Sequence, residues 1–555
     1  MPPELPEDLP TGYYLNDVEY LLSFVIERYE HLLSNAEKHF YCTFSAQPLA
    51  ARRLYVRLSN RKGAHFRLDK LAYDEIGDVR AAAALLVEAG LATFEPPALP
   101  ESFQLCAKEE LLALTLFADR PKATRRADLV AEIGELITAE AVTENPLTEL
   151  KIETVTLLGL DCLLVYRLLF FGNFRQDMTE FVLHELVTPF EQYDLTGTAD
   201  FFENRRTIEE MILLQSLGEL SHEVIAADTS GDAILAFAEL IPERRNQSLL
   251  ARRHDRIVNR LARQLERLDR PEEALSLYER SCQGDSRERR ARLCEKLGRI
   301  EEAFSYCEAI VASPLDEAEL EFGLYFGHKL ARKAGLEHDL PPREIARPAI
   351  DSIVVSRIDD RVELCAASHY ESETARCFYV ENMLFRGLFG LAFWDIVFAP
   401  VPGAFFHPYQ RGPADLYTDD FVPARRDLIR VRRSELAEVN RLREITSRTF
   451  DAKSGIANQF VNWQWLTPEL LELALSHIPP SDLVAVFDRM LLDLKQNCSG
   501  LPDLIVFENG NYRLIEIKGR GDKIQKNQER WFRYFARHAI PAELVNVEYA
   551  AEATA

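Results

Sequence analysis

Residues able to do chemistry are concentrated in one short segment near the C-terminus. Asp503 ends the sequence Gly500-Leu-Pro-Asp and is followed at once by the apolar run Leu504–Phe507. Asn509-Gly510, which comes next, is typical of the tight turn of a β-hairpin. A second run rich in strand-forming residues, Tyr512–Lys518, follows that turn. We therefore expect a hairpin that brings Asp503 back toward the end of its second strand.

The polar residues of this hairpin are of the types that metal-dependent phosphodiester hydrolysis needs. Residues two apart in a strand share a face, so Glu516 and Lys518 are expected to point the same way and Ile517 the opposite way. The carboxylates of Asp503 and Glu516 can hold one or two Mg²⁺ or Mn²⁺ ions, because these hard cations prefer oxygen ligands. The Ile517 carbonyl can add a third oxygen. Lys518 is placed to orient or activate a water beside the metal. The segment therefore predicts a nuclease centre.

The residues after the second strand strengthen this interpretation. An acid followed by Glu-x-Lys is a weak signal alone, because a half-exposed strand carries the same residues on its wet face. Here a turn follows, and then a helix that carries Gln528 and several aromatic residues. We expect Gln528 to orient the site or to contact the DNA backbone. The basic residues of this stretch are expected to bind DNA, and they are Arg520, Lys523 and Lys526.

The segment 500–537 resembles the virus-type replication-repair nuclease (VRR-NUC) module of the PD-(D/E)xK superfamily. The likeness extends upstream to the run Glu381–Gly390 and to Trp394-Asp395. In this order the motifs are similar to the Fanconi-associated nuclease family, structure-specific DNA repair enzymes of animals and some bacteria. The other motifs that carry the resemblance are Val362-Glu363, His369-Tyr370, Pro408-Tyr-Gln410 and Asp415-Leu-Tyr-Thr-Asp419, with weaker likeness at Tyr13-Tyr-Leu, Leu54–Leu58 and Arg61-Lys62.

The resemblance implies a further metal ligand and a substrate. Glu381 stands where the family has the acid that completes the metal site. The implied activity is endo- or exonucleolytic cleavage of 5′-flap or branched DNA in the repair of interstrand crosslinks, with DNA as the partner. In-line attack at phosphorus is expected to leave 5′-phosphate and 3′-hydroxyl ends. Selectivity for DNA structure is expected from a bent path across several modules, because phosphate contacts carry no sequence information.

Composition limits the class of protein. The chain has 555 residues and 47% hydrophobic content, enough for several domains with sizeable cores. No run approaches the ~20 uninterrupted apolar residues that a membrane helix needs, and the acidic, proline-rich start Met1–Asp8 is unlike a secretory signal. Nine scattered cysteines without a Cys-x-x-Cys pair argue for reduced thiols and against structural zinc. These features predict an intracellular protein without a membrane partner, in the cytoplasm or nucleoid if bacterial and in the nucleus if eukaryotic.

Charge is distributed unevenly along the chain. The net charge of −24 opposes DNA binding, because a uniformly acidic surface repels phosphates. Basic residues nevertheless cluster in 51–70, in 511–537 and at Arg287–Arg292, and such patches suit an enzyme that holds DNA along one track. Each arginine can also belong to an ordinary solvated helix face. The residues of the first cluster that we expect to contact phosphates are Arg57, Arg61 and Lys62.

Proline pairs and changes of pattern predict four parts in a multi-domain, predominantly α-helical chain. Residues 1–98 are expected to form a winged-helix-like DNA-binding region, with a strand at Leu54–Leu58. Residues 99–150 are expected to form a SAP-like helical module, as the resemblance implies, and an ordinary helical spacer is the alternative. Residues 341–555 are expected to form an α/β nuclease domain with a mixed sheet and its core motif at 500–537.

The third part, residues 151–340, has helical periodicity and a short internal repeat. Leu268–Ala274 recurs as Leu297–Ala303, with a small residue at the same place in each copy. Small residues at fixed positions allow close packing in helical repeats, so we predict TPR-like helices that brace the other domains and offer a surface to protein partners. A generic helical bundle is the alternative. The pattern predicts no oligomeric state.

Two other functions fit the same residues. One is another nuclease of the superfamily, such as a junction resolvase or a restriction-type enzyme, although the long helical region counts against it. The second is a non-catalytic scaffold whose TPR-like helices bind protein while the nuclease fold only holds DNA. Several acids and aromatic residues near the motifs are given structural roles: Trp394 in the core, Asp395 on a neighbouring arginine or amide, Glu363 facing solvent, and Asp415 without a catalytic role.

Overall fold

The structure is a computed structural model that describes residues 12–117, 119–142, 144–176, 189–195, 201–202, 204–246, 248–342, 348–356, 359 and 361–550. Residues 1–11 and 551–555, at the ends of the first and last predicted domains, lie outside the described residues. The chain divides into two compact units. The first comprises Met1–Thr188 and Phe202–Arg205, and the second comprises Pro189–Phe201 and Arg206–Ala555.

The first unit is a set of short helices around a small antiparallel sheet. Strands β1 (His65–Arg67), β2 (Ala92–Thr93) and β3 (Thr154–Leu157) form the sheet in the order β1-β3-β2. Its helices are α1 (Tyr13–Tyr29), α2 (Asn35–Ser45), α3 (Leu49–Ser59), α4 (Val79–Glu88), α5 (Leu99–Leu105), α6 (Lys108–Leu111), α7 (Arg126–Thr138), α8 (Pro146–Glu149) and α9 (Leu160–Phe171). Strand β3 comes from outside residues 1–98, so the sheet of this unit extends beyond the region predicted to be winged-helix-like.

The strand predicted at Leu54–Leu58 is wrong, because this segment lies inside helix α3. The β-formers Tyr55 and Val56 favour a strand locally. Burial nevertheless follows the helical period, with Ala51, Leu54, Tyr55 and Leu58 all packed inside. Tertiary packing of this apolar helix face outweighs the local strand preference.

Residues 99–150 have an apolar cluster of their own. The cluster joins helices α5 to α8, and its buried members are Phe103, Cys106, Leu111, Leu114, Phe117, Leu129, Ile133 and Leu147. Asn145 caps helix α8 by accepting a hydrogen bond from the Leu147 amide, and its side-chain amide donates to Ser102 Oγ at 2.8 Å. A cluster of this size can hold a small helical module together.

The second unit begins with stacked helices. They are α10 (Arg205–Ala227), α11 (Asp232–Ala238), α12 (Ser248–Arg267), α13 (Pro271–Glu279), α14 (Gly284–Lys296), α15 (Ile300–Ala312) and α16 (Glu317–Ala334). The two copies of the sequence repeat open helices α13 and α15. Their matching residues Ala274 and Ala303 are fully buried, as expected where small side chains allow close helix packing.

The nuclease domain combines helices with a five-stranded mixed sheet, which confirms the predicted α/β character. Strands β4 (Ala349–Val355), β5 (Ala375–Tyr379), β6 (Leu504–Glu508), β7 (Asn511–Lys518) and β8 (Ala542–Tyr549) lie in the order β4-β8-β7-β6-β5. Strand β8 is parallel to both β4 and β7, and the other pairs are antiparallel. The helices are α17 (Val362–Tyr370), α18 (Met383–Ala392), α19 (Trp394–Val397), α20 (Phe421–Ala424), α21 (Arg426–Leu436), α22 (Val439–Lys453), α23 (Pro468–His477), α24 (Pro480–Leu492), α25 (Leu494–Asn497) and α26 (Lys526–Arg537).

Both faces of this sheet are covered. On one face, Ile505, Phe507 and Leu514 join a large core with helices that include α18, α24 and α26. On the other, Val506 and Ile517 pack with helix α17 in a smaller core. The central strands are therefore held rigidly from both sides, and rigid elements suit the precise placement of a catalytic centre.

Among the described helices, no single one is both long and apolar enough to span a membrane. The pair Pro468–His477 and Pro480–Leu492 reaches the required length and composition only when its two helices are counted together across a bend of 108°.

Candidate active site

The predicted hairpin is present. Strands β6 and β7 pair in antiparallel register, with Leu504 opposite Ile515. The turn residues Asn509 and Gly510 have φ values of 50° and 76°. Positive φ at both central residues is what the two-residue type I′ turn requires, and Asn-Gly provides it at low steric cost. This register places Asp503, just before β6, next to Glu516 on the neighbouring strand.

Successive side chains of β7 point to opposite faces of the sheet, as predicted. Tyr512 and Leu514 pack in the large core, and Glu516 and Lys518 continue the same face beyond them. Ile517 points into the smaller core on the opposite face. Glu516 is 1% exposed and Lys518 is 8% exposed, so two charged side chains are almost excluded from water. Charges so placed are costly unless they have partners.

Lys518, Glu516 and Gln528 form one hydrogen-bonded group. Lys518 Nζ donates to Glu516 Oε1 at 2.7 Å and to Gln528 Oε1 at 3.1 Å. Gln528 Nε2 donates to the same Glu516 Oε1, while its own Oε1 accepts from the Gln525 amide at 2.9 Å at the start of helix α26. Gln528 therefore caps its helix and holds both the acid and the lysine in place.

Asp503 lies where three segments of the chain meet. Its Oδ2 accepts a hydrogen bond from the Ile517 amide at 2.9 Å, across the hairpin. Its main-chain oxygen accepts from the amides of Val380 at 2.8 Å and Glu381 at 3.0 Å. Gly500 stands at φ 82°, and a Cβ there would lie 2.7 Å from Asn527 Nδ2. Glycine thus lets the loop before Asp503 close against the helix that carries Gln528.

The protonation of both acids is shifted by their surroundings. Burial raises the pKa of Asp503, against the lowering effect of the Ile517 amide. Burial and the charge of Asp503 raise the pKa of Glu516, although Lys518 opposes this. The charge of Glu363 contributes to both increases. Carboxyl groups crowded in this way are stabilised by a cation between them.

The donor set fits a divalent cation. Glu516 Oε2 is buried and has no hydrogen-bond partner, although the other oxygen of the same carboxylate has two. A buried carboxylate oxygen left without a partner is unfavourable, and a bound cation would satisfy it. In the part of the chain that the structure describes, no three His, Cys, Asp or Glu side chains are gathered closely enough to hold a metal by themselves. Ligands from the main chain, the substrate or water therefore complete any metal site here.

Glu381, the acid implied only by resemblance, is brought to the edge of this centre. It follows strand β5 directly, and its amide is bonded to the main-chain oxygen of Asp503. Tyr379 and Asn382 hold its carboxylate: the Tyr379 hydroxyl donates to Oε2 at 2.6 Å and Asn382 Nδ2 donates to Oε1 at 3.2 Å. The structure thus joins Glu381 to Asp503 through the backbone.

Two family models match the chain. The model of the VRR-NUC domain matches residues 437–549, which include the hairpin and Gln528. The model described as the HTH domain of FAN1 matches residues 12–93, in the first unit.

Relatives match over nearly the whole chain. A Fanconi-associated nuclease 1 homolog of Pseudomonas aeruginosa is 33% identical, over 99% of this chain and 97% of its own length. The chain belongs to the Fanconi-associated nuclease family. Another member, from Arabidopsis thaliana, is 25% identical over 97% of this chain and 67% of its own length. The crystal structure of paFAN1 bound to 5′-flap DNA with a 2-nt flap and a gap superposes with a TM-score of 0.85 and 30% identity, covering 99% of this chain and 100% of that one.

Membership in this family settles the class of activity. This Fanconi-associated nuclease is a hydrolase that cuts DNA according to its structure and depends on a divalent metal. The resemblance and the fold class predicted from the sequence are confirmed. Neither the junction-resolvase alternative nor the scaffold alternative is favoured.

The basic residues predicted in the first unit of this Fanconi-associated nuclease have different surroundings. Arg57 donates two hydrogen bonds to Glu75 Oε1, at 2.9 and 2.6 Å, and its guanidinium lies 4.1 Å from the ring centre of Tyr14. Arg61 is exposed, with its guanidinium 5.4 Å from the ring centre of Phe66, and Lys62 is exposed beside it. The acid paired with Arg57 neutralises its charge, so Arg61 and Lys62 are the more available to a phosphate.

The basic residues near the hairpin lie on the surface. Arg520, Lys523 and Lys526 are all exposed, and they follow Lys518 between the end of β7 and the start of helix α26. Their contact with DNA stays a prediction.

The arginines at 287–292 are used within the helical stack. Arg287 pairs with Glu319 at 3.0 Å, Arg289 pairs with Glu266, and Arg292 pairs with Glu288 at 2.8 Å. Arg290 lies 5.4 Å from the ring centre of Tyr306. These contacts give each arginine a structural role.

Trp394, Asp395 and Asp415, which were given structural roles from the sequence, have such roles. Trp394 is in the core and donates its indole N–H to Glu191 at 2.7 Å. Asp395 pairs with Arg432 at 2.7 Å. Asp415 pairs with the fully buried Arg425, also at 2.7 Å.

Glu363 and Tyr379 are the residues of the site that the sequence analysis missed. Glu363 is half-buried rather than solvent-facing, in the first turn of helix α17, and its charge acts on both acids of the centre. Its place in the Val362-Glu363 motif of the family resemblance was the one signal that pointed to it. Tyr379 had no such signal, since an aromatic residue at a strand end is ordinary.

Proposed function

We propose that this nuclease cleaves 5′-flap or branched DNA by metal-dependent hydrolysis, in the repair of interstrand crosslinks. The observation that carries this proposal is the meeting of Asp503, Glu516 and Lys518 at the open end of the hairpin, with one buried oxygen of Glu516 left without a partner. The substrate is supported by the likeness to paFAN1, whose crystal structures have 5′-flap DNA bound.

Four oxygen-bearing residues are proposed as metal ligands: Asp503, Glu516, Glu381 and the main-chain carbonyl of Ile517. These residues would hold a divalent ion, which would supply positive charge beside the scissile phosphate and lower the pKa of the attacking water. Asp503 Oδ2 accepts a hydrogen bond from the Ile517 amide at 2.9 Å, so its other side-chain oxygen is proposed as the ligand atom. The set contains only oxygen donors, which supports Mg²⁺ or Mn²⁺, as one ion or two, rather than a softer metal.

Lys518 is proposed to position the attacking water and to stabilise the charge that develops on the phosphate. Its ammonium is held by Glu516 Oε1 and Gln528 Oε1, so it cannot swing into solvent. A charge fixed in a water-poor site stabilises a transition state more than a mobile charge does. Gln528 is proposed to keep Lys518 and Glu516 in register with each other. Attack in line with the leaving oxygen gives 5′-phosphate and 3′-hydroxyl products.

The remaining parts of the chain are proposed to hold the DNA. Residues 1–98 form the winged-helix-like region and residues 99–150 the SAP-like module. The TPR-like helices were predicted over 151–340; strand β3 and helix α9 in that range belong to the first unit, and the helices from α10 onward are proposed to offer a surface to protein partners. Residues 341–555 form the nuclease domain. Phosphate contacts are assigned to Arg61, Lys62, Arg520, Lys523 and Lys526. Arg57, predicted with them from the sequence, is instead engaged by Glu75.

The test is cleavage of an end-labelled 5′-flap duplex in Mg²⁺, in Mn²⁺ and in EDTA, with 3′-flap, forked, four-way and single-stranded DNA as competitors. Wild type is compared with Asp503→Ala and with Asp451→Ala, a control that removes an exposed carboxylate from helix α22. We expect metal-dependent cutting near the branch that Asp503→Ala abolishes while DNA binding persists. Binding without cutting under every metal condition refutes the proposal, and equal cutting of all the DNAs refutes the choice of substrate.

A further inference from the structure

The backbone of Glu381 is held in an unusual conformation. Its φ is 36°, in the left-handed region that residues with a side chain rarely adopt. The amides of Val380 and Glu381 both donate to the main-chain oxygen of Asp503, and these bonds tie the turn to the start of β6. Such conformations persist only where surrounding contacts enforce them, and they gather at functional sites. The chain thus places the base of the Glu381 side chain against the candidate centre.

The carboxylate of Glu381 is also held, at both of its oxygens. Oε2 accepts a hydrogen bond from the Tyr379 hydroxyl at 2.6 Å, and Oε1 accepts one from Asn382 Nδ2 at 3.2 Å. Asn382 Oδ1 in turn accepts from the Leu501 amide at 3.1 Å, two residues before Asp503. The two neighbours therefore fix the rotation of this carboxylate relative to the loop that carries the first acid.

Tyr379 is itself well fixed. It ends strand β5 and pairs with Leu504, the residue after Asp503. Its ring lies edge-on to Trp465, with the ring centres 6.0 Å apart, and the Arg361 guanidinium is 5.7 Å from its centre.

We infer that Tyr379 and Asn382 are positioning residues that hold the Glu381 carboxylate at the edge of the centre, where it would become a further ligand of a divalent cation bound by Asp503 and Glu516. This inference rests on the proposed role of Glu381 as a metal ligand. A carboxylate ligand with both oxygens oriented in advance loses less rotational freedom when the cation binds, and partners of this kind raise metal affinity. A purely structural role would instead stabilise the turn and leave the affinity for metal unchanged.

Metal binding without DNA provides the test. The full chain is titrated calorimetrically with Mn²⁺ as wild type, Tyr379→Phe, Asn382→Ala and Glu381→Ala. Tyr512→Phe is the matched control, because its hydroxyl also donates to a carboxylate, Asp482 at 2.7 Å, at the far end of β7. We expect Tyr379→Phe and Asn382→Ala each to raise the Kd for Mn²⁺ about 10-fold. Tyr512→Phe should bind as wild type does, and the metal-free melting temperature of Tyr379→Phe should equal that of wild type.

A double-mutant cycle distinguishes the positioning role of Tyr379 from the role of Glu381 as a metal ligand. If Tyr379 acts through Glu381, Tyr379→Phe adds no further loss of affinity in the Glu381→Ala background.

In cleavage assays the Mn²⁺ concentration for half-maximal rate should rise for Tyr379→Phe, while kcat at saturating Mn²⁺ stays close to wild type. Wild-type affinity in both Tyr379→Phe and Asn382→Ala, with Glu381→Ala weakened, overturns the positioning role alone. Wild-type affinity in Glu381→Ala overturns the ligand assignment and the positioning role together. If Tyr379→Phe fails to fold, Asn382→Ala decides the matter by the same measurement.

Discussion

Lys518 Nζ lies 2.7 Å from Glu516 Oε1, and both side chains are nearly closed off from solvent. This ion pair differs from the exposed pairs elsewhere on the chain, because each partner would be left with an unpaired buried charge if the other were removed. The pair also shares Gln528, so lysine, acid and helix α26 form one unit. Removing the ammonium should therefore affect the chemistry of cleavage more than the binding of DNA.

We predict that Lys518→Met, which keeps the length of the side chain, lowers kcat by on the order of 10³-fold by removing the charge that faces the developing phosphate. Affinity for flap DNA should change little, because the lysine is buried beneath the site. Single-turnover cleavage and a binding titration in Ca²⁺ measure the two effects. Lys122→Met, at an exposed position in the first unit, is the control. Equal loss of binding and of cleavage would show that Lys518 serves as a DNA contact instead.

The acids of the centre predict a pH-dependent stability of the metal-free protein. The pKa of Asp503 is raised from 3.8 to about 6 and that of Glu516 from 4.5 to about 8, chiefly by burial. The folded state therefore keeps these protons at pH values where the unfolded chain has lost them. Their contribution to stability is present below the unfolded pKa values and is lost as the pH rises through the folded ones.

The metal-free protein should accordingly lose stability between about pH 5 and pH 8, and added Mn²⁺ should raise the melting temperature more at pH 8 than at pH 6. Thermal unfolding in EDTA and in Mn²⁺ across this range measures both effects. In Asp503→Asn the dependence of stability on pH should flatten, because one of the two neighbouring acids is gone. A metal-induced increase that is the same at both pH values would contradict the prediction.

The hairpin of the site could be predicted because everything that specifies it is local. Asn509-Gly510 defines the turn, and alternation along Tyr512–Lys518 defines the faces. The place of Glu381 could not be derived in this way. The hydrogen bond from Leu501 to Asn382 joins residues 119 apart in the chain, and no spacing rule covers such a distance. Glu381 was identified only through the family resemblance, and its contacts are known only from the fold.

The wrong strand at Leu54–Leu58 and the missed role of Glu363 have one physical cause. Local preference describes a short segment, whereas burial and charge depend on what packs against it. Helix α3 is helical because its apolar face is buried. Glu363 matters because helix α17 packs against the hairpin and the charge of Glu363 acts on its acids. Both facts depend on neighbours that are distant in sequence.

We predict that replacing Asp415 lowers the stability of the protein without changing the rate of cleavage. It pairs with Arg425, whose side chain is 0% exposed. Asp415→Ala leaves that guanidinium buried without its acid and should cost about 3 kcal/mol of unfolding free energy. At low temperature, where the variant is folded, kcat should match wild type. Urea unfolding and cleavage assays check this, with the exposed Asp395→Ala as the control that costs little. A fall in kcat in folded Asp415→Ala would place this acid in the catalytic machinery.

We predict that substitutions of the basic residues in the first unit fall into two classes, one that alters DNA binding and one that alters stability. Arg61 and Lys62 are exposed, so Arg61→Ala and Lys62→Ala should each reduce the salt dependence of DNA binding, lowering the slope of log K against log salt by about 1. Arg57 is held by Glu75 and by the ring of Tyr14, so Arg57→Ala should lower the melting temperature and leave this slope unchanged. Arg80→Ala, which breaks an exposed pair with Glu153, controls for the loss of one positive charge. Flap-DNA titrations over a range of salt concentrations, with thermal unfolding of the same variants, separate the two classes. A reduced slope for Arg57→Ala would show that DNA displaces Glu75 from this arginine.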